Sequence, residues 1–149
     1  KKEVLVARVK PKDIEKFASW RFWDGVDWQK EMLKASPIAD RASNELSVTP
    51  LKDGRYAMVF QKDAIGTEVG LRLGLSPVGP FGPIIPVWDA ADDLKDGIQL
   101  ISYNAKAHPH LSRQNELLIS YNINSFDFFP AIKKQPHLYR PRFIRLKFE

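Results

Sequence analysis

The segment 44–89 limits the fold of this chain more than any other feature. It contains four short β-type runs, at 44–51, 55–61, 67–73 and 84–88, and the turn Lys52-Asp53-Gly54 separates the first two. Four antiparallel strands of this length form one blade of a β-propeller, in which the innermost strand lines a central channel. We therefore predict that Glu45, at the start of the first run, lies at a channel.

Further runs of alternating apolar and polar residues indicate an all-β fold. They occur at 4–9, 17–23, 98–103, 117–122 and 139–148, and 11 prolines and 8 glycines interrupt the chain between them. Strands this short and this frequent are typical of sandwiches, barrels and propellers. Only 27–35 suggests a short helix beyond a single turn.

A weak internal repeat favours the propeller. The stretch 54–60 aligns with 115–121, 61 residues further on, because each is a turn followed by an apolar strand with a final aromatic residue. We predict a partial propeller domain over 1–149, in which 1–30 gives outer strands of one blade, 44–89 a full blade and 98–149 most of another. This makes about two and a half blades, whereas a closed ring takes about four to eight. Either a missing segment supplies the remaining blades, which we favour, or several copies close the ring.

Composition excludes several classes of function. The net charge of +5 comes from scattered residues, whereas a nucleic-acid groove needs a broad basic stripe, so we expect no nucleic-acid partner. The absence of cysteine excludes disulfides and thiolate metal sites. No apolar run approaches the ~20 residues of a membrane span. Two histidines at i and i+2, His108 and His110, make a poor metal signature, and we expect neither a metal nor a cofactor.

Several motifs resemble a known family. The pieces Asn44-Glu-Leu-Ser-Val-Thr, Asp53-Gly-Arg-Tyr and Ser76-Pro-Val-Gly-Pro-Phe are similar to a blade of five-bladed propeller glycoside hydrolases of the arabinanase, xylosidase and fructosidase type. The pieces Ser120-Tyr-Asn and Tyr139-Arg-Pro-Arg-Phe resemble the C-terminal part of such domains in uncharacterised bacterial proteins, some linked to D-arabinofuranan cleavage. The resemblance implies a secreted, periplasmic or cell-surface protein that acts on a carbohydrate, and it implies that other blades carry the acidic partner residues.

Glu45 is the candidate catalytic residue. Glycoside hydrolysis needs two carboxyl groups across the scissile bond, one of them protonated as the general acid. Partial desolvation on an inner strand favours the protonated form. Ser47, two residues on, shares the same strand face and is a candidate for substrate binding. The alternative for Glu45 is an ion pair with an arginine of a neighbouring blade.

Four other residues are candidates for substrate binding, and each has a structural alternative. His108 could bond a sugar hydroxyl or cap the local backbone. Asn104 could bind a hydroxyl or end its strand. Arg142 could clamp a carboxylate or form a salt bridge between blades. Trp28 follows a loop and could stack on a sugar ring, or it could pack in the core.

Two alternatives, one of function and one of fold, remain open from the sequence. A propeller of this kind can bind carbohydrate or serve as a scaffold without catalysing a reaction. The 149 residues could also form an independent β-sandwich.

Overall fold

The structure, a computed structural model, describes residues 2–95 and 99–148. The first residue of the predicted strand 98–103 and both ends of the predicted domain range 1–149 lie outside these residues. The strands are β1 Glu3–Val4, β2 Ala7–Arg8, β3 Arg21–Trp23, β4 Trp28–Gln29, β5 Ala39–Asp40, β6 Leu46–Pro50, β7 Tyr56–Gln61, β8 Glu68–Gly74, β9 Ile85–Asp89, β10 Leu100–Ala107, β11 Glu116–Ser125 and β12 Arg142–Lys147. The helix α1 is Phe128–Lys134, and single 3-10 turns occur at Pro11–Asp13, Phe17–Ser19, Met32–Lys34, Ala91–Leu94 and Pro109–Leu111.

The strands form four antiparallel sheets among the described residues. The largest has the order β6-β7-β8-β9, so each strand pairs with the next one along the chain. A second sheet has the order β10-β11-β12, and the N-terminal strands form the sheets β1-β5 and β2-β3-β4. Antiparallel strands thus dominate, and the all-β prediction is confirmed.

The strand β7 is buried on both faces, and this makes its sheet the middle layer of the molecule. Ala57 and Val59 belong to one core cluster, whereas Met58 and Phe60 belong to another. Side chains of a strand alternate between its faces, so a continuous apolar run means that both faces are covered. All four side chains are fully buried.

Each face of the middle sheet packs against a different part of the chain. One face contacts the sheet β10-β11-β12, whose contribution includes Ile119, Tyr121 and Ile123 from β11. The opposite face packs against Val4 of β1 and Ala39 of β5. The chain therefore stacks three layers in sequence order, with the core divided between the two interfaces.

Two glycines on β8 let aromatic rings lie against the backbone of the middle sheet. A Cβ on Gly74 would lie 2.6 Å from ring atoms of Phe81, and one on Gly70 would lie 3.2 Å from the ring of Phe60. The glycines thus leave the space that the two rings occupy.

Local predictions differ from the structure at four places. The predicted strand 17–23 begins with the 3-10 turn Phe17–Ser19, and only Arg21–Trp23 is a strand. The predicted helix over 27–35 is wrong, because Trp28–Gln29 is a strand paired with β3 and only Met32–Lys34 makes a 3-10 turn. The predicted strand 4–9 is divided between β1 and β2, which pair with different partners. The helix α1 was not expected. No helix within 2–95 or 99–148 is long and apolar enough to cross a membrane.

Candidate functional site

The first strands of the two larger sheets meet at Ser47. Its hydroxyl oxygen accepts a hydrogen bond of 2.8 Å from the backbone N–H of Ala107, which connects β6 to the end of β10. Glu45 lies two residues before Ser47, and His108 directly follows Ala107. The structure therefore brings three of the predicted site residues to the edges of neighbouring strands. The Ser47 hydroxyl holds these two strands together through its hydrogen bond with Ala107.

The backbone at Glu45 is fixed, while its side chain is exposed. Ser43 Oγ donates a hydrogen bond to the carbonyl of Glu45 and accepts one of 3.1 Å from the backbone N–H of Gln61, at the end of β7. The Glu45 carboxylate has no hydrogen bond or ion pair with any residue that the structure describes. A cavity of about 450 Å³ opens beside it, with Asn44 and Leu46 in its lining.

His108 is held in one position from three sides. Its Nε2 is hydrogen-bonded to Ser120 Oγ at 2.7 Å, its N–H donates to the carbonyl of Leu118, and its carbonyl accepts from Ser112 Oγ. Partial burial lowers the pKa of His108, and the positive charges of Lys106 and His110 lower it further. The imidazole is therefore held neutral and oriented by its neighbours.

Asn104 occupies an irregularity in β10. The pairing of β10 with β11 shifts between Tyr103 and Lys106, and Asn104 has a φ of +62°. A bulge of this kind redirects a side chain out of the regular alternation. The Oδ1 atom of Asn104 is buried and accepts no hydrogen bond from the described residues. This oxygen is therefore enclosed by the protein, in the edge strand β10 that ends one residue before His108.

Arg142 lies away from this group, in a polar network between the two larger sheets. Its Nε is 3.5 Å from Asp93 Oδ1. Asp93 Oδ2 accepts a hydrogen bond of 2.6 Å from the Tyr121 hydroxyl. The Tyr121 hydroxyl oxygen in turn accepts a hydrogen bond of 3.0 Å from Trp88 Nε1. Burial, followed by the bond to Asp93, raises the pKa of Tyr121 to about 12. We call these four residues the inter-sheet network.

Trp28 belongs to the N-terminal three-stranded sheet. The guanidinium of Arg8 lies 4.1 Å from the centre of the Trp28 ring, and the ring of Trp23 lies 5.3 Å from it on the paired strand. Both contacts use the aromatic surface on which a sugar would stack. The structure therefore gives Trp28 neighbours in its own sheet and does not bring it to Glu45 by any described contact.

Sequence reasoning missed Asp93, Tyr121 and the role of Trp88. Trp88 is 45% exposed, and its indole N–H donates a hydrogen bond to the Tyr121 hydroxyl. Asp93 follows a strand by a few residues in a polar stretch, and nothing in that pattern shows which tyrosine it will meet. The described residues contain no group of three or more His, Cys, Asp or Glu side chains that could hold a metal ion.

Comparison with known proteins identifies a family and finds solved structures that are similar to this chain. No curated protein matches the chain. A crystal structure of "a putative hydrolase" from Bacteroides ovatus ATCC 8483 matches it with a TM-score of 0.74 and 27% sequence identity. The match covers 96% of this chain and 39% of that one, so the chain spans about two fifths of the length of its relative. The model of the family named "Domain of unknown function (DUF5005)" matches residues 1–148, and the chain belongs to that family.

Proposed function

We propose that this chain is part of a β-propeller hydrolase that cleaves a furanoside or a related polysaccharide. The observation that carries the proposal is the match over 96% of the chain to a structure described as "a putative hydrolase", combined with an exposed carboxylate at the strand edge where two sheets meet. Because such polymers lie outside the cytoplasm, we also propose a secreted, periplasmic or cell-surface location.

The stacking of the sheets supports the propeller. The middle sheet runs strand by strand from β6 to β9, and the next sheet starts again with β10 beside β6 and β7. Successive blades of a propeller pack face to face in this order, with their first strands around the axis. We propose that the remaining blades come from a segment outside this chain.

The chemistry assigned to the site follows from the groups at the strand edges. Glu45 would act as the general acid that protonates the glycosidic oxygen, and a second carboxylate from another blade would act on the opposite side of the sugar ring. The neutral imidazole of His108 would bond sugar hydroxyls, whereas the burial of the Asn104 Oδ1 atom favours the structural alternative for that residue. Arg142 already has a partner in Asp93, which favours its structural alternative, whereas the ring of Trp28 is in contact with Arg8 and belongs to neither core cluster.

The test is the substitution Glu45→Gln in the protein, assayed on arabinan-type furanosides. Loss of a general acid reduces turnover by about 10²–10⁴-fold, and we expect a loss in this range. Glu15→Gln is the matched control, because Glu15 is also exposed and has no partner among the described residues. Equal turnover by the wild type and Glu45→Gln removes Glu45 from the mechanism.

The exposure of Glu45 favours a second candidate function, which is carbohydrate binding without catalysis. A general acid works best where water is excluded, and this carboxylate lies in solvent. Two results together would support this second function. The wild type binds arabinan oligosaccharides without hydrolysing them, and Glu45→Gln binds them equally well.

A further inference from the structure

We propose that a groove at the far end of β6 binds an anionic oligosaccharide that contains uronate residues. The groove encloses about 840 Å³ between the turn after β6 and the connection from β10 to β11. Its charged rim is formed by Lys52, Arg113 and Lys147, and we call it the basic groove. Glu45 precedes β6, whereas Lys52 follows it, so the basic groove and Glu45 lie at opposite ends of the strand.

Backbone hydrogen bonds fix both walls of the basic groove. In the first wall, the N–H of Leu51 donates to the carbonyl of Arg55 and the N–H of Gly54 donates to that of Leu51. In the second wall, the N–H of Phe148 donates to the carbonyl of Asn115 at 3.0 Å, which joins the connection to the end of β12. The walls are therefore formed before any ligand binds, which reduces the entropic cost of binding.

The acidic residues of the groove are neutralised by arginines. Asp53 accepts a hydrogen bond of 2.7 Å from Arg55 Nε, and Glu116 accepts one of 2.6 Å from Arg145 Nη1. The bond from Arg55 lowers the pKa of Asp53, while the backbone N–H of Arg113, followed by the charge of Arg145, lowers that of Glu116. Both carboxylates are thus ionised and paired at neutral pH.

Among the described residues, Lys52 and Lys147 of the rim have no counter-ion, whereas the charge of Arg113 acts on Glu116 from a distance. Within 2–95 and 99–148, no carboxylate forms an ion pair with the side chain of Lys52, Arg113 or Lys147. All three residues are exposed. Because the nearby acids are already paired, the groove carries an excess of positive charge, and this favours an anionic ligand.

The uncharged residues that line the basic groove indicate which class of anion fits it. Gln114 and Asn115 offer amide donors and acceptors suited to hydroxyl groups, while Leu51 and Phe148 give apolar surface for sugar carbons. The volume lies within the range of about 300–1,000 Å³ typical of small-ligand sites. Single-stranded nucleic acid requires several stacking aromatics, and Phe148 is the one aromatic residue of this lining. Carboxylated sugars fit both the charge and the polarity.

The test measures binding of a galacturonate tetramer by calorimetry to the wild type and to the double variant Lys52→Ala/Lys147→Ala. An exposed ion pair gives up to about 1 kcal/mol, or about fivefold in affinity, so loss of both lysines should weaken binding by up to about 25-fold. The matched control is Lys10→Ala/Lys12→Ala, which removes the same charge from exposed positions in the N-terminal part. This control should bind as the wild type does.

Two further measurements make the result decisive. A neutral glucose tetramer should bind much more weakly than the galacturonate tetramer, and raising the salt from about 0.05 to about 0.5 M should weaken galacturonate binding because salt screens exposed charges. Equal affinities of the two double variants, or equal affinities for the two tetramers, overturn the inference. The Glu45→Gln variant should bind galacturonate normally, so the basic groove can be right even if the proposed hydrolase activity is not found.

Discussion

At the scale of single residues, the site combines one exposed acid with one positioned base. Glu45 is held through its backbone, and His108 is held through both its ring and its backbone. The ring of His108 faces Ser120, and Lys106 and His110 are the positive groups that act on it. A neutral, fixed imidazole can bond a hydroxyl without carrying a charge into the binding surface.

The lowered pKa of His108 predicts a loss of stability at acidic pH. The unfolded chain takes up a proton at the ordinary histidine pKa of about 6.5, whereas the folded chain resists it to lower pH. The stability from neutral His108 is therefore complete above this value and is lost as the pH falls towards the folded pKa. In His108→Gln, the melting temperature should depend less on pH in this window.

The control for this prediction is His137→Gln, at an exposed position shortly after α1 in the sequence. Its melting temperature should follow the wild-type pH dependence. A His108→Gln profile identical to that of the wild type would show that His108 titrates normally in the folded protein.

The sequence was enough to choose candidate residues for the site, but it could not predict which residues they would contact. Ser47 was expected beside Glu45 on a channel, and it lies on that strand with its hydroxyl bonded to Ala107, 60 residues away. Asn104 was chosen for its amide, and its redirection depends on a positive φ that no local pattern signals. Both outcomes are set by contacts between distant segments, which alternation along one strand does not encode.

At the scale of elements, β7 was predictable and the segment after β3 was not. The predicted run 55–61 is apolar from Tyr56 to Phe60, and it forms the strand Tyr56–Gln61. In the segment 27–35, the spacing of apolar residues suggested a helix. The Asp24 carboxylate instead accepts bonds from the N–H groups of Val26 and Asp27, which forms the turn of a hairpin in which Trp28 pairs with Trp23.

The close contact at Gly74 predicts that Gly74→Ala is destabilising. The added methyl group would lie 2.6 Å from the Phe81 ring, so the ring or the strand must shift. Such overpacking costs about 1–3 kcal/mol. We expect a decrease of this size in the free energy of unfolding measured by urea titration.

Gly82→Ala is the matched control, because a Cβ at Gly82 meets its nearest atom at 3.6 Å, an ordinary contact. We expect its stability to stay within about 1 kcal/mol of the wild type. If Gly74→Ala unfolds at the same urea concentration as Gly82→Ala, the ring of Phe81 can move away without cost.

At the scale of the whole molecule, the inter-sheet network connects the two larger sheets. Trp88 belongs to the last strand of the middle sheet, and Tyr121 belongs to the second strand of the neighbouring one. Tyr121 is 3% exposed, so its hydroxyl would be unsatisfied without Trp88 and Asp93. The bonds therefore fix how one sheet lies on the other, beyond what apolar contact requires.

This arrangement predicts that Tyr121→Phe loosens the sheet interface. The change removes one hydroxyl that both donates and accepts, and it leaves Trp88 and Asp93 without that partner. A loss of about 1–3 kcal/mol is expected for such a group, measured as the free energy of unfolding. Tyr56→Phe should have little effect, because the Tyr56 hydroxyl has no partner among the described residues. Equal stability of the two variants would contradict a role for the network.

The burial of β7 on both sides has an evolutionary consequence. One backbone carries Val59 towards one neighbour and Phe60 towards the other, so a bulkier side chain on either side displaces the strand into the opposite interface. The side chains of the two interfaces therefore cannot be substituted independently of each other. Sequence changes in the N-terminal layer and in the C-terminal layer should be correlated through β7, although these layers meet different parts of its surface.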